Sequence, residues 1–212
     1  MGKMKGRGRS IHFAWAAVLA LAASVANAQS AADESVVEAV WKPQRVNFVY
    51  RGYSTFYSCR SLQQKLQKIL RTVGARDRIE LRTYSCDDEL PIARFQIALI
   101  SPVEATQQNV EQLTSYDARD ELVARVRGEQ LASAEDLPRF PAMWKTISFA
   151  RNREMRLEPG DCELVQQLRR HILPRMAVQI VNDQLRCSQF GNIAKPQLTV
   201  SALVPVEPKV SD

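Results

Sequence analysis

The chain has 212 residues, with 29 lysines and arginines against 23 aspartates and glutamates, and a net charge of +6. Four of the 29 basic residues and no acidic residue lie in residues 1–28, so the rest of the chain carries 25 basic against 23 acidic residues, a net charge of +2. A chain this close to neutrality gives no electrostatic reason to expect nucleic acid or an anionic membrane as its partner.

The first 28 residues have the pattern of a secretory signal peptide. Four basic residues open the chain, residues 11–25 are apolar, and Ala26-Asn27-Ala28 is a small-residue cleavage sequence that predicts a new N-terminus at Gln29. Beyond that point no apolar run approaches the length needed to cross a bilayer. The sequence therefore predicts a bacterial periplasmic or secreted protein, with no transmembrane segment after cleavage.

The remaining sequence contains an internal repeat. A Trp-Lys pair, a strand pattern, a cysteine, a helix with a leucine stripe, a strand and a second cysteine follow Trp41 and again follow Trp144. Trp41 precedes Cys59 by 18 residues, and Trp144 precedes Cys162 by the same 18. Spacing this similar predicts two copies of one structural unit.

The first unit comprises residues 41–102. Val46, Phe48 and Tyr50 alternate with polar residues as in a half-buried strand, and a helix after Cys59 is expected to end at Gly74. Two further alternating segments complete the order β-α-β-β. The residues expected on the buried face of the helix are Leu62, Leu66, Ile69, Leu70 and Val73.

The second unit, residues 143–205, repeats this order. Asp161 is expected to be the N-cap of its helix and Pro174 to stop it. Leu164, Leu168 and Ile172 are expected on the buried face. The sequence therefore predicts an α+β fold, a duplicated β-α-β-β unit with one helix per unit and an antiparallel or mixed sheet. It leaves open whether both units share that sheet.

Three segments lie outside the repeat. Residues 29–40 and 206–212 are short and polar and are expected to be loosely held ends of the chain. Residues 103–142 form a long polar connector, in which a short helix near Asp120–Arg127 is expected.

Four cysteines in an exported chain indicate two disulfides, although four cysteines allow three pairings. Because each unit holds two of them, the repeat favours Cys59–Cys86 and Cys162–Cys187. The alternative is a metal site, but no C-x-x-C sequence occurs and His171 is the one histidine after residue 28. We therefore expect no metal and no cofactor.

Catalytic signatures are missing from the sequence. It has no nucleophile elbow, no zinc-protease sequence, no P-loop and no dinucleotide-binding glycine pattern. His171 is expected near the end of the second helix, and no spacing nominates a partner for it. The acidic run Asp87-Asp88-Glu89 follows Cys86 at a predicted turn, where solvated charge is the ordinary explanation.

The loop Tyr50–Arg60 is the one segment that stands out as a candidate binding site. It concentrates aromatic residues between arginines, whereas the equivalent loop of the second unit, residues 151–158, is charged and has none. Tyrosine and arginine often supply the binding energy of interfaces, but aromatic rings also serve as core packing. Tyr50 and Phe56 are expected to point inward. The candidate binding residues are Arg51, Tyr53, Tyr57 and Arg60.

The pattern R-G-Y-S-T-F-Y-S-C-x-x-L in this loop, with Gly-Ala-Arg after the helix, resembles a group of small exported bacterial proteins with no assigned activity. The likeness covers mainly residues 46–86. It implies an exported bacterial protein and carries no function with it.

Three functions are compatible with these features. The first is a non-enzymatic envelope protein that binds an unknown envelope protein or polymer through its surface loops. The second is a small hydrolase or transferase acting on an envelope component, whose residues converge only in three dimensions. The third is a carbohydrate or peptidoglycan binder that stacks its ligand on the tyrosines.

The exported protein should begin at Gln29 and contain no free thiol, because of the cleavage sequence and the even number of cysteines. Intact-mass measurement with and without a thiol reagent checks both. A mass that retains residues 1–28, or that grows with the reagent before reduction, would contradict this expectation.

Overall fold

A six-stranded antiparallel sheet with helices forms an α+β fold in the computed structural model, which describes residues 35–86 and 91–206. The predicted signal peptide, the acidic run after Cys86 and the tail from residue 207 lie outside the described residues. None of the described helices is long and apolar enough to cross a bilayer. The elements are β1 (Val36–Arg51), α1 (Cys59–Thr72), β2 (Glu80–Cys86), β3 (Ile92–Glu104), α2 (Gln107–Thr114), α3 (Ala118–Arg127), β4 (Arg139–Ser148), α4 (Cys162–His171), β5 (Val178–Asp183) and β6 (Leu198–Pro205).

Both halves of the chain have the same topology. The first half runs β1-α1-β2-β3 and the second β4-α4-β5-β6, and the strand order in the sheet is β2-β3-β1-β4-β6-β5. In each half the first strand pairs with the third, and the second strand lies at the edge. The halves join where β1 pairs with β4, from Val36 opposite Met143 to Val40 opposite Arg139. One sheet therefore contains both halves.

The sheet is strongly curved. β3 and β6 are in contact although β1 and β4 lie between them in the strand order, and a flat sheet would hold them about 14 Å apart. Gly74, two residues after the end of α1, fits between these strands with a positive φ of 102°. A Cβ at Gly74 would lie 2.3 Å from the Leu203 carbonyl oxygen and 3.5 Å from Pro102. Glycine is required here for the backbone conformation and for the close approach.

The curvature encloses one hydrophobic core that both halves share. Phe48 and Phe95 from the first half and Phe149 from the second belong to a single buried cluster. The helix residues predicted to be buried belong to the same cluster, which confirms the helical periods of the sequence. They are Leu62, Leu66, Ile69, Leu70, Val73, Leu164, Leu168 and Ile172.

The repeated tryptophans lie near the junction of the halves. Trp41 stacks on Phe140 of β4 with a centroid distance of 4.3 Å, and its ring is 5.1 Å from the Arg76 guanidinium. Trp144 donates a hydrogen bond of 2.6 Å to the Glu104 carboxylate at the end of β3. Each tryptophan thus contacts a residue of the other half of the chain.

The segments outside the repeat differ from the sequence prediction. Residues 36–40, expected to be loosely held, are part of β1, and Ala39 and Val40 are buried because β1 pairs here with both β3 and β4. The connector is shorter than predicted, since β3 continues to Glu104 and β4 begins at Arg139. It contains α3, as expected near Asp120–Arg127, and also α2, which was not predicted.

A leucine removed from either helix should destabilise the whole chain, because the core is continuous across the halves. Leu66→Ala and Leu168→Ala should each lower the free energy of unfolding by about 2–5 kcal/mol in a single cooperative transition. Denaturant unfolding followed by circular dichroism and by tryptophan fluorescence measures this. The exposed Leu122→Ala is the control, and separate transitions in the two signals would contradict the shared core.

Candidate functional site

The loop between β1 and α1, residues 52–58, is held by side chains of α4 from the other half of the chain. The Glu163 carboxylate accepts hydrogen bonds from the backbone N–H groups of Tyr53 at 2.8 Å and Ser54 at 3.0 Å, and from the Ser54 hydroxyl at 3.0 Å. One helical turn later, the Gln167 side-chain amide accepts a hydrogen bond of 2.9 Å from the Arg51 N–H and donates one of 2.8 Å to the Arg51 carbonyl oxygen. Residues four apart share a face of a helix, so one face of α4 fixes this backbone.

A second buried acid links the loop to both helices. Asp161 directly precedes α4 and is 1% exposed, and Glu163 is 5% exposed. The Asp161 carboxylate accepts hydrogen bonds from the Tyr57 hydroxyl, from the Lys65 ammonium of α1 at 2.6 Å and from the Glu158 backbone N–H at 2.7 Å. We call Asp161, Tyr57 and Lys65 the buried acid cluster. Because a buried charge is costly unless it is paired, this cluster ties the loop, α1 and α4 together.

Asp161 occupies the predicted N-cap position of α4, but its side chain does not cap that helix. Its carboxylate instead caps the short 3₁₀ turn Pro159–Asp161 from within, by accepting the Glu158 N–H. The Tyr57 hydroxyl and the Lys65 ammonium, both distant in sequence, donate hydrogen bonds to the same carboxylate. The sequence correctly placed a helix start here, and the role predicted for the side chain was wrong.

Tyr50, just before the loop, and Tyr57, within it, stabilise the loop from its buried side. The buried Tyr50 donates a hydrogen bond of 2.7 Å to the Thr55 carbonyl oxygen, and its ring meets that of Tyr57 edge-on at 5.3 Å. Burial, and then the Glu163 and Asp161 carboxylates, raise the pKa of Tyr50 well above its usual range. Burial, and then Asp161, do the same for the pKa of Tyr57. Both phenols therefore stay protonated as hydrogen-bond donors.

Two glycines allow the loop to close tightly around Thr55. A Cβ at Gly52 would lie 2.2 Å from the Thr55 carbonyl oxygen, and one at Gly160 would lie 2.9 Å from the Thr55 hydroxyl. The Gly52 N–H also donates a hydrogen bond of 2.8 Å to the Pro91 carbonyl. Any side chain at Gly52 would force the backbone of the loop apart.

The side chains that this scaffold presents to solvent are aromatic. Tyr53 is 68% exposed and Phe56 is 62% exposed, and the neighbouring Arg51 and Arg60 are exposed as well. Tyr57 is half-buried in the acid cluster. The prediction that Tyr50 points inward is confirmed, and the prediction that Phe56 does so is wrong, because the strand alternation ends at Arg51. The exposed candidate binding residues are thus Arg51, Tyr53 and Arg60, joined by Phe56.

The equivalent loop of the second half is built differently. Met155 and Leu157 are buried there in the shared core, between exposed charged residues. The loop 52–58 relies instead on buried polar anchors, and the rings of Tyr53 and Phe56 remain exposed. The anchoring residues Asp161, Glu163, Gln167 and Lys65 were not found from the sequence, where charged and amide residues beside an apolar stripe indicate a solvated helix face.

The cysteines and His171 form no metal site in the part of the chain that the structure describes. All four cysteines form the predicted disulfides, with Cα–Cα distances of 5.8 Å for Cys59–Cys86 and 5.5 Å for Cys162–Cys187. No group of three or more His, Cys, Asp or Glu side chains in the described ranges could hold a metal ion. His171 is exposed at the end of α4.

No protein family, no curated protein and no solved structure matches this chain. The two disulfides are typical of the oxidising periplasm or extracellular space.

The buried tyrosines should make stability fall at high pH. Because the folded-state pKa of Tyr50 and Tyr57 lies above the unfolded value of about 10, their contribution is complete below pH ~10 and is lost as the pH rises further. In an ultraviolet titration, two of the five tyrosines should ionise only on unfolding.

Tyr57→Phe should remove one of these late-ionising groups, and Tyr84→Phe, at an exposed tyrosine of β2, should remove none. The matched pair separates the effect of the acid cluster from a general effect of alkali. An unchanged late phase in Tyr57→Phe would show that Tyr57 is not held as described.

Proposed function

We propose that this protein is a non-enzymatic exported protein that binds another component of the bacterial envelope through the loop 52–58. The observation that carries the proposal is the exposure of Tyr53 and Phe56 on a backbone that buried Glu163 holds in place. The predicted signal peptide, the two disulfides and the resemblance over residues 46–86 support the envelope as its location.

The anchored backbone favours recognition over simple surface decoration. A loop that must become ordered on binding loses affinity through the entropy of that ordering. Here the hydrogen bonds of Glu163 and Gln167 have ordered the backbone before any partner arrives. Binding therefore does not have to supply the entropy cost of ordering this part of the backbone.

The exposed side chains have the chemistry of interface anchors. Single exposed apolar residues are normal on protein surfaces, but Tyr53 and Phe56 lie three residues apart and are flanked by Arg51 and Arg60. Aromatic rings with adjacent guanidinium groups are frequent at the centres of interfaces, where rings fill pockets and arginines pair with acidic groups. A protein partner with an acidic rim around an apolar pocket fits this surface best.

A polysaccharide such as peptidoglycan is a second candidate, because exposed rings can also stack on sugar rings. The same two side chains would carry that binding. The two partners differ in form, since peptidoglycan can be sedimented as an insoluble polymer and a protein partner can be cross-linked.

Tyr53→Ala/Phe56→Ala should abolish partner binding and leave the melting temperature nearly unchanged. Both side chains are exposed, and surface changes of this kind usually alter the free energy of unfolding by about 0.5 kcal/mol or less. The control Leu122→Ala/Val126→Ala removes two exposed apolar side chains from α3, 58% and 79% exposed, and should keep binding.

Binding is measured in two ways. A photo-reactive residue at position 53, compared with one at position 122, captures a protein partner in living cells, and co-sedimentation with purified sacculi detects peptidoglycan. Equal capture at both positions, together with sedimentation unaffected by the double variant, would refute this surface as the binding site.

Glu163→Gln tests the contribution of the anchor itself. It keeps the size of the side chain but replaces one acceptor oxygen of the carboxylate by a donor, so the bonds to Tyr53 and Ser54 cannot all form. We expect binding to weaken although both rings are present, with a loss of stability of about 1–3 kcal/mol. Affinity as high as that of the wild type would contradict the role of the fixed backbone.

A further inference from the structure

The loop between β5 and β6, residues 184–197, carries the most exposed apolar side chains of the described chain. Phe190 and Ile193 are both fully exposed, so neither side chain packs on the protein. The topologically equivalent connection of the first half, between β2 and β3, spans only residues 87–91. The second half thus has a longer loop whose tip is apolar.

The tip of this loop is a defined turn. The disulfide Cys162–Cys187 fixes its base to α4, and the Gln184 N–H donates a hydrogen bond of 3.0 Å to the Gln197 carbonyl. Within the turn, the Asn192 side chain accepts from the Ser188 N–H at 2.9 Å, and the Ser188 hydroxyl accepts from the Phe190 N–H at 3.1 Å. The Ser188 and Phe190 N–H groups are thus satisfied within the turn, so these two donors need no water in a less polar medium.

The charges around the tip have one sign. Arg186 precedes Phe190 and Lys195 follows Ile193, both are exposed, and residues 184–197 contain no aspartate or glutamate. The chain beyond residue 28 is nearly neutral as a whole, so this local excess is not apparent from the net charge. Two bulky apolar groups between two cations match the charge pattern of an anionic lipid surface, where the cations meet the phosphates and the apolar groups enter the acyl region.

We propose that the loop 184–197 inserts Phe190 and Ile193 into the interface of an anionic phospholipid bilayer, with Arg186 and Lys195 on the headgroup phosphates. A convex tip with fully exposed side chains offers no groove for a partner segment to enter. A bilayer needs no complementary shape, and the loop supplies the two signals, apolar burial and charge, that stable surface binding requires. This site is separate from the loop 52–58 and holds whether or not that loop binds a partner.

Co-sedimentation with vesicles tests the proposal. The exported protein should bind vesicles of phosphatidylethanolamine with phosphatidylglycerol, and bind vesicles of phosphatidylcholine alone much more weakly. Phe190→Ala/Ile193→Ala should weaken binding to the anionic vesicles by about 10- to 100-fold. Leu122→Ala/Val126→Ala, which removes exposed apolar side chains from α3, should bind as the wild type does.

The contribution of the two cations and the depth to which residue 190 inserts into the bilayer are tested separately. Arg186→Gln/Lys195→Gln should weaken binding to anionic vesicles several-fold and reduce its sensitivity to salt. In Phe190→Trp, the emission of the new tryptophan should shift to shorter wavelength on anionic vesicles and be quenched by brominated lipid. A Phe190→Ala/Ile193→Ala variant that sediments like the wild type, or a tryptophan at position 190 that brominated lipid does not quench, would overturn the proposal.

Discussion

Two buried carboxylates at the start of α4 determine how the halves of this protein meet. Removing a carboxylate from water costs several kcal/mol unless its oxygens find partners, and both Asp161 and Glu163 find them mainly in the first half of the chain. Asp161 has the Lys65 ammonium as its counter-charge. Glu163 accepts hydrogen bonds from neutral backbone and hydroxyl groups of the loop 52–58. It lies in the first turn of α4, the N-terminal end, where the helix dipole favours negative charge. Because a buried carboxylate needs these partners, an alternative docking that buried Asp161 and Glu163 elsewhere would leave them unpaired, so the two acids favour this arrangement of the halves over others.

The two halves show how one topology can be adapted at a single position. The loop that leads into α4 contributes Met155 and Leu157 to the core, so its conformation is maintained by packing. The loop that leads into α1 is maintained by hydrogen bonds from beneath, through Glu163 and Gln167. That difference frees Tyr53 and Phe56 from the core. Polar anchoring thus gives the first half a rigid loop with unburied rings, which is the property required of a recognition element.

Both proposed surfaces are attached to the same turn of α4. Cys162 holds the base of the loop 184–197 through its disulfide, and the adjacent Glu163 holds the loop 52–58. Their chemistry differs: the loop 184–197 presents Phe190 and Ile193 between two cations, and the loop 52–58 presents Tyr53 and Phe56 on a backbone held by Glu163. The two proposals together imply that α4 connects the contact with a partner to the contact with a lipid surface.

The sequence alone determined the features that rest on local or periodic information. The stripe Leu62–Leu66–Leu70 identified the buried face of α1, and the stripe Leu164–Leu168–Ile172 identified that of α4. The repeated spacing selected Cys59–Cys86 and Cys162–Cys187 from three pairings. Only the tertiary structure decided what depends on distant partners. The strand at residues 36–40 exists because β3 and β4 pair with it. Tyr57 turns inward because its hydroxyl donates a hydrogen bond to Asp161, which lies 104 residues further along the chain. The sequence alone predicts a surface position for Glu163, because its partner Tyr53 lies 110 residues away. A single sequence records hydrophobic periods, but the burial of a polar side chain depends on contacts that no local pattern specifies.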